Sequence, residues 1–151
     1  MSDTANRIPE DIKNAMRAKD TLALNALRAF KSALMNAAIE KGNLSIVLDE
    51  SEVLAVVRKQ IKQRVDSCEQ FEKAGRAELA ATEKTEIEIL SRYLPAALGE
   101  DQLAAIVEQA ISDTAASGKA DMGKVMKRAQ KLAEGRADGK LLSAAVMKRM
   151  L

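Results

Sequence analysis

An all-α protein is what this sequence predicts, with an N-terminal four-helix domain over residues 1–95 and a small C-terminal three-helix domain over residues 96–151. Three observations carry that prediction. The apolar residues, 47% of the chain, are mostly Ala, Leu, Ile, Val and Met, with no Trp, one Tyr and two Phe. That composition suits helices packed on helices better than a sandwich or barrel. Apolar positions recur at three- and four-residue steps almost from end to end, and only seven Gly and two Pro interrupt them.

Ile8, Ile12, Ala15 and Met16 share one face of a first helix, and Pro9 suits its first turn. Lys19-Asp20-Thr21 marks a break. A second helix places Leu24, Leu27, Phe30, Leu34 and Ala38 on one face and stops near Gly42. Residues 43–48 read as a loop from which Ile46 and Val47 tuck into the core. Asp49 and Glu52 have the spacing of a capping box. The long third helix that follows carries Val53, Leu54, Val57, Ile61, Val65, Cys68 and Phe71, and Gly75 can end it in a left-handed conformation. A fourth helix, 77–93, presents Leu79, Ile87 and Leu90. Pro95 disfavours helix at Leu94 and Gly99 can cap what comes next, so residues 94–99 read as the linker. Three shorter helical patterns follow, at 100–116, 121–133 and 138–151.

Charged residues on the third helix read as solvated positions and i,i+4 pairs such as Glu69–Lys73. Arg64 and Arg76 are the exceptions, placed to meet Glu83 or Glu86 at a junction with the fourth helix. Cys68 continues the Ile61 and Val65 stripe and reads as packing. Tyr93, before Leu94-Pro95, reads as an anchor at the linker.

The inventory limits the chemistry. There is no His, which removes the commonest general base, His-based zinc sites and Ser-His-Asp triads. No phosphate-binding GxxxxGK[ST] or GxGxxG loop is present. Only carboxylates, Lys, Tyr93 and Cys68 are left for catalysis, and no catalytic set, metal site or cofactor is indicated. No apolar run approaches the roughly 20 residues that cross a bilayer, the first ten residues lack a signal-peptide pattern, and a single Cys forms no internal disulfide. These features predict a cytoplasmic protein with no membrane contact.

Charge is unevenly distributed. Residues 117–151 hold nine Lys/Arg and three Asp/Glu, whereas residues 1–116 hold fifteen and nineteen. The net +2 thus hides an acidic body and a basic tail, which suggests a polyanionic partner for the tail. On a helix from Met122 to Ala133, the apolar Met122, Val125, Met126, Ala129, Leu132 and Ala133 fall within about 120° of arc. Lys124, Lys127, Arg128 and Lys131 fall within about 100° on the other side. That division alone describes any amphipathic surface helix. The sequence Gly135-Arg136-Ala137-Asp138-Gly139-Lys140 adds more: Gly135 can end the helix, Asp138 can cap the next, and Gly139 lets a ligand approach backbone closely. Helix-start amides flanked by Arg136 and Lys140 suit phosphate. Aromatic platforms for stacking bases are missing. The candidate RNA-contacting set is Gly123, Lys124, Lys127, Arg128, Lys131, Gly135, Arg136, Gly139 and Lys140.

These residues resemble the GatB/YqeY family. The pattern Gly-Lys-Val-Met followed by Gly-Arg-Ala-Asp-Gly-Lys-Leu is matched from Gly123 to Leu141 with the family's spacing. Lys62-Gln63-Arg64, Glu69-Gln70-Phe71-Glu72-Lys73-Ala74-Gly75-Arg76 and Tyr93-Leu94-Pro95 extend the similarity to stand-alone, YqeY-like members over nearly the whole chain. The resemblance implies an all-helical protein related to the tail of the tRNA-dependent amidotransferase B subunit. In that enzyme, a carbon–nitrogen ligase with glutamine as amide donor, the tail holds tRNA; the catalytic cradle has no counterpart here. The chain also departs from the stand-alone pattern. It has Lys127 for Gly, Gln130-Lys131 for Met-Pro and Glu134 for Lys. Loss of the proline predicts an unbroken helix, and Glu134 removes a cation beside Gly135.

Three functions compete at this level. The first is an accessory protein that binds tRNA, or a similarly shaped RNA, through its phosphates. The second is a protein-interaction module with an acidic partner. The third is an amidotransferase activity, for which the residue inventory offers no machinery.

Overall fold

A computed structural model describes residues 3–151 of the protein and is all-α: among them lie seven α-helices, one 3-10 turn and no strand. The helices are α1 (Asp3–Arg17), α2 (Thr21–Lys41), α3 (Glu50–Lys73), α4 (Ala77–Ser91), α5 (Glu100–Thr114), α6 (Met122–Ala133) and α7 (Gly139–Met150). The 3-10 turn, Lys119–Asp121, leads directly into α6. The chain divides into two compact units, one ending at Leu94 and the other spanning Pro95–Leu151.

In the first unit the core gathers around Phe30, which is fully buried with Val57 and Leu90. Tyr93 meets Phe30 edge to face, with ring centroids 5.3 Å apart. Its hydroxyl donates to the Asp11 carboxylate, and the Arg7 guanidinium lies 4.9 Å over its ring. Tyr93 thus fastens the end of α4 to α1 and α2. Burial, then the bond to Asp11 and that residue's charge, push its phenol far above the ordinary range.

Helix α1 departs from expectation in two ways. It begins six residues before Pro9, so the proline lies inside the helix, and Met16 is exposed although it shares the periodicity of Ile8 and Ala15. The early start has a tertiary cause. The N–H of Thr4 donates to Glu50 Oε2 at 3.3 Å, and its hydroxyl donates to the same carboxylate. A first-turn amide is thereby satisfied by a residue at the start of α3.

That start carries more than one fastening. Asp49 Oδ1 accepts from the Glu52 N–H at 2.8 Å, and Glu52 Oε1 accepts from the Asp49 N–H at 3.1 Å, forming the expected capping box. Glu52 also takes Lys41, at the end of α2, at 2.7 Å. The Lys41 ammonium holds the Glu52 carboxyl below its usual range. Residues 49–52 therefore secure three helix ends. The preceding loop corrects one expectation: Leu48 is buried, whereas Val47 is 60% exposed.

Helix α3 closes as predicted. Gly75 has φ 72°, with Arg76 N–H to Phe71 O at 2.8 Å and Gly75 N–H to Glu72 O at 3.1 Å, the paired bonds of a Schellman ending. Cys68 is buried, its thiol 3.6 Å from the Ala80 carbonyl, and burial pushes that thiol up. Between α3 and α4, Arg64 Nε donates to Glu86 Oε2 at 3.0 Å and its Nη1 to Gln60 Oε1 at 2.9 Å, with both ionic partners largely buried. Arg76 does not join this junction; it pairs with exposed Glu78 instead. Nor do Glu69 and Lys73 form an ion pair among the described residues; the nearby pair is Glu72 with Lys84 on α4, at 2.8 Å.

Glu83 sits beside the Arg64–Glu86 pair with its Oε2 buried and without a partner among the described residues. Burial and the neighbouring Glu86 charge raise its carboxyl, against the pull of Arg64. A carboxyl raised in the fold contributes stability at low pH that is lost as pH rises through its folded value. Glu83→Gln is therefore expected to stabilise the protein by about 1 kcal/mol at neutral pH, with the advantage shrinking toward pH 4. Urea unfolding of both proteins at the two pH values checks this, because acid effects at other carboxylates cancel in the comparison.

The second unit is built on small residues. Ala110, Ala129 and Ala133 are buried with Val107, Val125, Leu142 and Val146 where α5, α6 and α7 meet. Gly99 precedes α5, and its N–H donates to Gln102 Oε1 at 3.0 Å; with no side chain it supplies only that half of a capping box. Helix α6 runs unbroken to Ala133, as expected from the missing proline.

Candidate nucleic-acid interface

Helix α6 buries Val125, Ala129 and Ala133 and turns its cations outward. Lys124, Lys127 and Lys131 are exposed. At 1.5 Å per residue they span about 10 Å of helix. Lys124 has only a loose contact with Asp121, at 4.0 Å, and neither Lys127 nor Lys131 makes an ion pair among the described residues. Arg128 is differently employed. Its Nε donates to Asp113 Oδ2 on α5 at 2.7 Å, an interhelix pair that holds the Asp113 carboxyl below its usual range.

The turn after α6 is made by two successive left-handed residues, Glu134 at φ 51° and Gly135 at φ 77°. Glycine takes that conformation freely; glutamate does so at a cost of about 1–2 kcal/mol. Arg136 folds back over the helix end, with Nε donating to Ala133 O at 3.1 Å and Nη2 to Leu132 O at 3.4 Å. It therefore satisfies terminal carbonyls and complements the negative end of the α6 dipole. Asp138 caps α7 as expected, accepting from the Lys140 N–H at 3.2 Å, so that amide is already occupied. The Lys140 side chain is exposed.

Of the six cations in the candidate set, Arg128 and Arg136 thus have internal work, and Lys124, Lys127, Lys131 and Lys140 do not. Neither arginine's role is visible in the sequence. Asp113 lies fifteen residues from Arg128, and a capping arginine looks the same in sequence as a free one.

Gly123 and Gly139, like Gly118 before the 3-10 turn, have no explanation in the fold. Gly123, in the first turn of α6, and Gly139, at the start of α7, are exposed and have no left-handed φ. A Cβ built on either would meet nothing within 4 Å. Glycine costs about 0.5–1 kcal/mol relative to alanine in a helix interior, an upper bound for these first-turn positions. Bare backbone therefore faces solvent beside unspent lysines.

A family model described as Yqey-like protein matches residues 5–150. Among curated relatives, the chain is 32% identical over 134 residues to the Pyrenophora tritici-repentis protein named "Altered inheritance of mitochondria protein 41, mitochondrial", covering 87% of this chain and 71% of that one. Proteins of the same name from Lachancea thermotolerans and Kluyveromyces lactis are 37% and 36% identical, over 61% and 67% of this chain. The chain spans about half of those two relatives' length, 48% and 55%. These names overturn the cytoplasmic expectation, since they call the relatives mitochondrial. The features behind that expectation, a lone Cys and no long apolar run, do not separate the cytosol from a mitochondrial interior. No helix among the described residues is long and apolar enough to cross a membrane.

Proposed function

This chain belongs to the YqeY-like family, and on that premise we propose that its C-terminal unit binds tRNA, or an RNA of similar shape, through phosphate contacts, as an accessory protein and not a catalyst. One observation carries the reading: Gly123 and Gly139, glycines that the fold does not require, stand beside lysines that no carboxylate neutralises closely. Both features favour phosphate, because side-chain cations attract it and a bare backbone lets it come close. Lys124, Lys127, Lys131 and Lys140 supply the charge. Arg128 and Arg136 hold the surface in shape. The link to amidotransferase chemistry rests on resemblance alone, and a pure-protein assay of glutamine-dependent amidation should stay at background.

The test separates folding from binding. Gly123→Ala and Gly139→Ala are each expected to leave the protein as stable or up to about 1 kcal/mol more stable, while weakening tRNA binding. Titrating parent and variants against tRNA at two salt concentrations measures the second effect, and thermal melts the first. Parent binding should weaken steeply with salt. Binding that ignores salt, or alanine variants that bind like the parent, would overturn the proposal.

A further inference from the structure

Helix α7 is apolar on two sides. One side, with Leu142 and Val146, is buried against α5 and α6. On the other, Leu141 and Met147 are 53% and 45% exposed, Ala144 is exposed, and Leu151, just past the helix end, is 65% exposed. At 100° per residue these four fall within about 120° of arc, an apolar ridge interrupted by the exposed Lys140 and Lys148, which fall in the same arc.

Beside the ridge runs a groove of about 510 Å³ between α5 and α7, floored by Leu103, Ala104, Val107, Ala144 and Ala145. Its α5 rim carries Glu100 and Asp101, and its α7 rim Lys148 and Arg149. Arg149 is bound to Glu108 across the groove. Glu100, Asp101 and Lys148 make no ion pair among the described residues. The same face therefore offers a ridge, a groove, unpaired acid and an unpaired base.

We propose that this face seats a second copy of the chain across a two-fold axis. Such an interface joins one patch to itself, so each element must find its complement within that patch. Here it does. The ridge of each copy enters the groove of the other, and each Lys148 meets the other copy's Glu100 and Asp101. A foreign helix would need the whole pattern in reverse, whereas a second copy carries it by construction. Lys124, Lys127 and Lys131 on the outward side of α6 stay free in the pair, whereas Lys140 lies on the ridge, so pairing would cover one of the four lysines proposed to contact RNA.

Sedimentation of the full chain at rising concentration tests the pairing, with a mass expected to climb from 16.3 kDa toward twice that value. Met147→Glu should raise the dissociation constant by at least about tenfold with an unchanged circular dichroism spectrum. Lys148→Glu should weaken pairing, and adding Glu100→Lys and Asp101→Lys to it should restore pairing, a rescue that a folding defect would not give. A parent chain that stays monomeric at every concentration, because its own other unit or a different protein takes this face, overturns the proposal. So does a Met147→Glu variant that pairs like the parent.

Discussion

Replacing Lys124, Lys127, Lys131 and Lys140 together with alanine should abolish most of the salt-sensitive part of tRNA binding while leaving the helices intact. Each lysine that neutralises a phosphate adds nearly one unit to the slope of log affinity against log salt. Four such contacts correspond to a change in affinity of about a hundredfold between roughly 50 and 200 mM salt, and the variant should lose that dependence. The choice of residues matters. Including Arg136 would uncap α6, and including Arg128 would break its pair with Asp113, so either loss would mix folding with binding. The four lysines are exposed, and alanine is the best helix former, so melting temperature should hold or rise. A fourfold variant that binds tRNA with the parent's affinity and salt slope would sink the phosphate reading altogether.

Tyr93→Ala should have the largest effect on stability, a loss of about 3–5 kcal/mol typical of removing a buried aromatic ring. The ring packs on Phe30 and lies under Arg7, while its hydroxyl holds Asp11. Deletion would open a cavity beside a fully buried residue and release α4 from α1 together. Tyr93→Phe separates the two contributions. It keeps the ring and loses only a hydrogen bond to a charged group, worth roughly 1.5–3 kcal/mol. Urea unfolding of the three proteins gives the comparison. If Tyr93→Phe cost as much as Tyr93→Ala, ring packing would not be what fastens α4.

The helices themselves were legible because their signals are local. Asp49 with Glu52, Gly75 and Asp138 each act within a few residues, and each does what its spacing announces. The misses are long-range. Helix α1 starts early because Glu50, forty-six residues away, receives its first turn, and no pattern near Pro9 could reveal that. In the loop, Leu48 is buried in place of Val47, a choice made by the path of the chain and not by hydrophobicity, which the two share. At the candidate interface the charges were visible, but the division of labour between arginines and lysines was not, since it depends on which carboxylate or carbonyl each side chain reaches.

The fastening at residues 49–52 bears on how this protein can change over time. Asp49, Glu50 and Glu52 each secure a different helix end, and they do so from within one four-residue stretch. Residues 43–48, just before them, can lengthen or shorten at small entropic cost, as surface loops do. One residue inserted between Asp49 and Glu52 would instead rotate the later carboxylate by about 100° around α3, away from both the Asp49 amide and Lys41. The connection between α2 and α3 thus has an elastic half and an inelastic half, and variation in length should collect in the first.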